Sequence, residues 1–143
     1  MPNWRDELIE AVKTKTEREA EETAKQKQRV LEAIPSAEAA VSLATEGLRF
    51  AYDRILEKGK PSTMHEEKDE ESRPKLARLT LEDLSLGIDL DRATAIVRVS
   101  YLEGKPREFD FARDRHIAAT DVEEYVGRRA VELVRSAQKA TAW

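Results

Sequence analysis

Residues 76–101 read LARLTLEDLSLGIDLDRATAIVRVSY, and their apolar side chains recur at every second position. A period of two is typical of β-strands that bury one face. The phase slips by one residue at positions 82–83, which indicates a tight turn or a bulge, because an uncorrected slip would turn every later side chain to the opposite face. Positions 91–92 are the next candidate turn. We therefore predict a meander of three or four antiparallel strands.

The sequence after this stretch predicts a short strand and then a final helix. Residues 103–106, Glu-Gly-Lys-Pro, have the composition of a hairpin loop, and Phe109 and Phe111 mark the short strand. Thr120 and Glu123 have the spacing of a capping box, in which the two side chains satisfy exposed backbone amides at the start of a helix. The broad apolar face that follows predicts a helix packed across the sheet.

Two helices are predicted before the sheet. Asn3 can cap the first helix, and Pro35 ends or kinks it. Ser36 can cap the second helix, which runs to about Lys58 before a glycine and a proline. A connection this short favours an antiparallel hairpin, unless the two helices continue as one kinked rod. We therefore assign residues 1–58 to a helical hairpin or arm.

The first helix has little to bury in its middle, because Ala20 and Ala24 are the only apolar residues between positions 13 and 29. Helix-forming residues and i, i+4 charge pairs still favour a helix here. Its sequence can be aligned with a coiled-coil repeat whose core positions are apolar at the two ends and polar in the middle. It is either an arm that reaches a partner or a sister subunit, or a solvated helix lying along its own domain. The candidate contact residues lie at its start and on the small-residue face of the second helix: Trp4, Leu8, Val12, Val41, Leu48 and Ile55.

Residues 59–75 have no apolar period and combine glycine and prolines with a block of charges, which predicts a flexible charged linker. His65 and the two glutamates after it could hold a metal, but a mobile site would bind it weakly. The sequence therefore divides into a helical part (1–58), the linker (59–75) and a unit of β meander plus helix (76–143). The fold class is α+β.

The composition fits one domain and excludes several kinds of site. The chain has 143 residues, of which 38% are charged, and it contains no cysteine. Disulfides, thiolate metal sites and cysteine nucleophiles are therefore impossible, and the cytoplasm is the simplest location. We see neither the apolar core of a signal peptide nor a run approaching the roughly 18 apolar residues of a membrane span.

The charge balance disfavours nucleic acid as a partner. The formal net charge is −4, and neither half of the chain is basic: residues 1–75 have 14 basic and 17 acidic side chains, and residues 76–143 have 11 and 12. A protein that binds duplex nucleic acid usually presents a cationic surface to the phosphates.

A second group of candidate residues ends the predicted short strand. Glu108 and Asp110 share one face of that strand, and Asp114 and His116 follow it. Carboxylates and an imidazole so close together could bind a divalent cation or form an acid–base pair. They could equally be the solvated face of an edge strand, with neighbouring arginines balancing the charge.

Asp89 on one predicted strand is followed after the next strand by Glu103-x-Lys105. This spacing resembles the Asp…Glu-x-Lys signature of restriction-endonuclease-like nucleases, and the order of helix, sheet and helix is also similar. The resemblance covers residues 89–105. It implies that the two carboxylates hold a divalent metal while the lysine helps to position or activate water. In this chain Gly104 places the Glu and Lys in a hairpin loop, whereas the family has them on a strand.

Two further alternatives remain open. Tyr101, Phe109 and Phe111 could line an apolar ligand pocket beneath the final helix, although a few short strands under one helix normally pack solid. Asp89 and Asp91 form an Asp-x-Asp pair, which is typical of a turn and is also used for metal binding in some transferases.

The leading hypothesis is a non-enzymatic interaction or oligomerisation module, such as an adaptor or assembly factor, that needs no cofactor or metal. We expect it to form a homo-oligomer through its helices and to contact another protein. The hypothesis rests on the apolar residues at the start of the first helix, on the polar middle of that helix, and on the lack of converging catalytic side chains.

Overall fold

The computed structural model describes residues 3–141 and 143 and confirms the α+β class, with an antiparallel sheet and a final helix packed on it. Two helices come first, then five strands, then a third helix. In chain order the elements are α1 (Trp4–Ala11), α2 (Lys15–Glu57), β1 (Ser62–Lys68), β2 (Pro74–Leu81), β3 (Leu84–Asp91), β4 (Ile96–Tyr101), β5 (Arg107–Asp110) and α3 (Ala119–Ala140).

The sheet is a simple meander in which every strand pairs antiparallel with the next, in the order β1-β2-β3-β4-β5. The phase slip in the sequence is a tight turn, because Leu81 pairs with Leu84 across it and Glu82 takes a φ of 58°. The next turn joins Asp91 to its partner Ile96, with the Asp91 carboxylate accepting a backbone N–H from within the turn. Both predicted turns are therefore present.

The segment predicted as a flexible linker contains strand β1, which corrects the reading of residues 59–75 and raises the strand number to five. Its sequence, STMHEEK, shows no apolar alternation because β1 is an edge strand with one solvated face. Asp69 organises the turn into β2: its Oδ1 accepts the backbone N–H groups of Glu71 at 3.0 Å and Arg73 at 2.9 Å.

The predicted helical hairpin is instead one continuous helix, α2, of 43 residues with Pro35 inside it. Proline at this position removes one backbone hydrogen bond, to the carbonyl of Leu31, without ending the helix. Burial of the apolar side chains on both sides of Pro35, including Val30 and Ala37, holds the two halves in register. The structure thus agrees with the alternative to a hairpin, in which the two helical stretches continue as one rod.

A break that the sequence analysis did not predict separates α1 from α2 at residues 12–14. Thr14 and Glu17 form a reciprocal capping box that starts α2. Lys13 joins the two helices, because its ammonium lies 2.6 Å from a carboxylate oxygen of Glu10 and 2.7 Å from one of Glu21. Asn3 caps α1 as predicted, accepting the backbone N–H of Arg5.

The final helix also begins slightly earlier than predicted. Ala119 is its first residue, and the carboxylate of Asp121 accepts the backbone N–H of Ala118 at 2.8 Å. The predicted Thr120 and Glu123 box therefore does not form, because these residues already lie within the helix.

The helices α2 and α3 cover the same face of the sheet, and the core lies between the two layers. Alternate strand residues point inward, among them Leu79, Leu86, Ile88 and Val97, all at most 1% exposed. The outer face is mostly polar and open to solvent, with Asp89 opposite Arg98 and Arg98 opposite Glu108. This outer face is thus solvated, whereas α2 and α3 cover the opposite face.

Candidate functional site

The three residues of the nuclease-like pattern do not converge. Asp89 lies near the middle of the outer sheet face beside Arg98, whose Nη1 is 3.9 Å away, and burial raises the pKa of this aspartate. Glu103 and Lys105 are exposed in the turn between β4 and β5. Because Leu102 bonds back to Ser85, this turn lies four strand residues from Asp89, roughly 13 Å along the sheet. The arrangement offers no shared metal site.

The acidic residues near β5 stabilise turns. One carboxylate oxygen of Asp110 accepts the N–H of Arg113 at 3.0 Å, and one of Asp114 accepts the N–H of His116 at 2.9 Å. Glu108 faces Arg98 at 3.4 Å. Within residues 3–141 and 143, no three carboxylate or imidazole groups come together as a metal site would require. The structure therefore supports the solvated, charge-balanced interpretation of this cluster.

Two of the aromatic residues proposed to line a ligand pocket, Tyr101 and Phe109, contact α3. Tyr125 meets Phe109 edge-on, with ring centroids 5.6 Å apart, and the guanidinium of Arg129 lies over the ring of Tyr101. Phe109 and Phe111 are both buried. Phe109 and Tyr101 thus contact side chains of α3.

The six predicted contact residues fall into two groups. Val41, Leu48 and Ile55 are buried under the sheet, so the Ala-rich face of the second helical stretch belongs to the chain's own core and is not a free surface. The amino-terminal residues behave differently. Trp4, Leu8 and Val12 are 66%, 53% and 67% exposed, and no residue of α1 is buried.

An apolar groove lies between the carboxy-terminal half of α2 and α3, and we call it the α2–α3 groove. The helices run in the same direction here, since Ile117 before α3 lies near Ala33 while Trp143 after α3 lies near Lys60. The groove encloses about 860 Å³ and opens to solvent. Its apolar lining comes from both helices: Phe50, Ala51, Ile55, Ala130, Val131 and Val134.

Two glycines lie in the groove, Gly47 on α2 and Gly127 on α3. Both are in helix interiors, where glycine costs roughly 0.5–1 kcal/mol relative to alanine. A β-carbon added at either position would meet nothing within 4 Å, so packing within the chain does not require glycine. These residues were not singled out from the sequence, although glycine within a strongly helical stretch is the signal that could have revealed them.

The rim of the groove is mainly basic. Lys58, Lys60 and Arg135 line it with Arg54, against one acidic residue, Glu123. Arg54 stacks over Phe50 at 4.8 Å and also bonds Glu57, whereas Lys60 stacks over Trp143 at 5.4 Å. The groove therefore combines an apolar floor with a cationic edge, which suits an amphipathic ligand with acidic flanks.

Comparisons of the chain with protein-family models, with curated proteins and with solved structures found no match. Among the residues described, no helix is both long enough and apolar enough to cross a membrane. Function must therefore be inferred from the α2–α3 groove and from the exposed apolar side chains of α1.

Proposed function

We propose that this protein is a cytoplasmic protein-interaction and oligomerisation module whose α2–α3 groove binds an amphipathic helix with acidic flanks. The observation that carries the proposal is the pair of glycines in the groove. Each lowers the helix propensity of its own element without a packing reason in the chain, and each leaves room for another backbone to approach closely.

Exposed apolar surface at the groove supports the same proposal. Phe50 is 63% exposed and Val131 49%, on facing helices. Complete burial of such a side chain contributes up to about 1.5–3 kcal/mol, so two of them under one ligand helix can offset part of the entropy lost on association. The basic rim adds selectivity for acidic partners and makes binding sensitive to salt.

A titration with designed peptides tests the proposal. The probes are two fluorescein-labelled helical peptides that share one leucine stripe, one with glutamates beside the stripe and one with lysines. We expect the full chain, titrated at submicromolar concentration, to raise the fluorescence anisotropy of the acidic peptide. The Kd for the acidic peptide should be at least tenfold lower than the Kd for the basic peptide. Val131→Glu should abolish this preference, because it places a like charge in the apolar floor.

The matched control is Leu31→Glu, which introduces the same charge at an apolar α2 residue that is 67% exposed and does not line the groove. Leu31→Glu should bind the acidic peptide as the parent does. Failure of both peptides to bind, or equal loss in the two variants, would contradict the groove as the binding surface.

A further inference from the structure

The described residues include a helix that matches the α2–α3 groove in chemistry, and it is α1. At 100° per residue, Trp4, Leu8 and Val12 fall on one side of this helix, with Ile9 extending the same face. Asp6 and Glu7 follow at its two edges, and Glu10 lies opposite. The helix is therefore amphipathic with acidic flanks, although Arg5 lies within the apolar face, where its guanidinium stacks over the Trp4 ring at 5.5 Å; no residue of α1 is buried.

We propose that the groove binds α1 of a second copy of this chain, so that two copies exchange their amino-terminal helices. The inference rests on the proposed function and names the ligand helix. Asp6 and Glu7, at the two edges of the apolar face of α1, would meet a rim on which basic residues predominate, whereas Glu10 points away from the groove and pairs with Lys13. Two copies can satisfy both helices and both grooves at once, as a closed symmetric pair requires.

The length of α2 prevents α1 from reaching the groove of its own chain. From Lys15 to Gly47 the helix rises about 48 Å, at about 1.5 Å per residue. The eight residues of α1 and the three connecting residues span at most about 23 Å. A helix α1 that occupies this groove must therefore come from another copy of the chain.

The start of α2 holds α1 away from its own domain. No side chain of α2 is buried before Val30, and Gln26 and Arg29 lie beside residues 110–116, so residues 15–25 extend beyond the helix-and-sheet core as an arm. At its end, Arg18 donates to the backbone carbonyl of Glu10, and Lys13 bridges Glu10 and Glu21. The hydrogen bond from Lys13 lowers the pKa of the Glu10 carboxyl. The arm thus carries a preformed helix.

Cysteine cross-linking tests the exchange directly, because the chain has no cysteine of its own. One variant carries Leu8→Cys and the other Val131→Cys, with tags of different mass. We expect the mixture to form a disulfide-linked heterodimer under mild oxidation at least tenfold faster than a control mixture of Leu8→Cys with Leu31→Cys. Leu31 is more exposed than Val131, at 67% against 49%, but lies outside the groove.

Equal cross-linking rates in the two mixtures would overturn the exchange. The peptide titration separates this failure from failure of the proposed function. A chain that binds the acidic peptide but shows no preferred link between positions 8 and 131 has a helix-binding groove with a different partner. A chain that neither binds the acidic peptide nor forms the preferred cross-link does not bind helices in the α2–α3 groove, which would contradict the proposed function as well.

Discussion

Gly47 and Gly127 lower the stability of their helices, but they leave the space that a second helix would need in the α2–α3 groove. Both lie in helix interiors with open space where a methyl group would be. Replacing these glycines with alanine should therefore stabilise the isolated chain, because alanine has the higher helix propensity. It should weaken only the binding of a second helix in the groove.

We predict that the double variant Gly47→Ala, Gly127→Ala raises the free energy of unfolding by about 1–2 kcal/mol in total, because each alanine restricts the unfolded chain and favours the helix. The same variant should weaken self-association at least tenfold, because two methyl groups fill the groove floor. Urea denaturation at low protein concentration and sedimentation equilibrium measure the two effects.

Ser42→Ala is the matched control, since Ser42 is an exposed α2 residue outside the groove. It should raise stability slightly and leave self-association unchanged. Greater stability of the glycine variant with unchanged self-association would mean that the groove does not receive a helix.

Asp69 fixes the turn between β1 and β2 through its charge as well as its shape. Hydrogen bonds from the backbone and side chain of Arg73 hold the pKa of this carboxyl below its usual value, and the Nε of Arg92 lies 3.1 Å away. A carboxyl with a lowered folded-state pKa stabilises the fold above its unfolded pKa, near 3.8, and loses that contribution as the pH falls.

Asp69→Asn should therefore lower the urea midpoint at pH 7, with the deficit shrinking below about pH 4 as the parent loses the same charge. Asp53→Asn removes an exposed α2 acid that has no hydrogen bond or salt bridge among the described residues, and it should leave the midpoint unchanged. A deficit that stays constant from pH 7 to pH 3 would show that Asp69 acts without its charge.

At the scale of elements, the sequence predicts best where one residue pattern has one structural meaning. The alternation in residues 76–101 identifies β2, β3 and β4, and its phase slip locates a turn. Strand β1 was missed because an edge strand can be polar throughout. The break between α1 and α2 was missed although Thr14 and Glu17 have capping-box spacing, because the helix-forming residues around them favour continuity.

Helix α2 continues through Pro35 because tertiary burial on both sides outweighs the lost hydrogen bond. Pro35→Ala restores a donor for the Leu31 carbonyl and should raise the free energy of unfolding by up to about 3 kcal/mol. Ser36→Ala, at the exposed neighbouring position, should change it by about 0.5 kcal/mol or less. Thermal denaturation measures both, and a destabilised Pro35→Ala variant would show that the core depends on proline at this position.

The whole molecule has one part that buries its apolar side chains within the chain, and a second part, α1 and the α2–α3 groove, whose apolar side chains are exposed. The sheet, the carboxy-terminal half of α2 and α3 bury one continuous core, which the apolar patterns made predictable. The candidate site was less predictable, because the α2–α3 groove depends on how two helices lie side by side on the sheet. Trp4, Leu8 and Val12 were identified as contact residues from the sequence, and they are exposed in the structure.

Light scattering coupled to size-exclusion chromatography tests the exchange of α1 most directly. The parent chain should elute at twice the 16.3 kDa mass of one chain, whereas Leu8→Glu and Val131→Glu should each shift it to the monomer mass, and Leu31→Glu should not. A parent chain that stays monomeric at several hundred micromolar, or a dimer that survives both Leu8→Glu and Val131→Glu, would contradict the exchange.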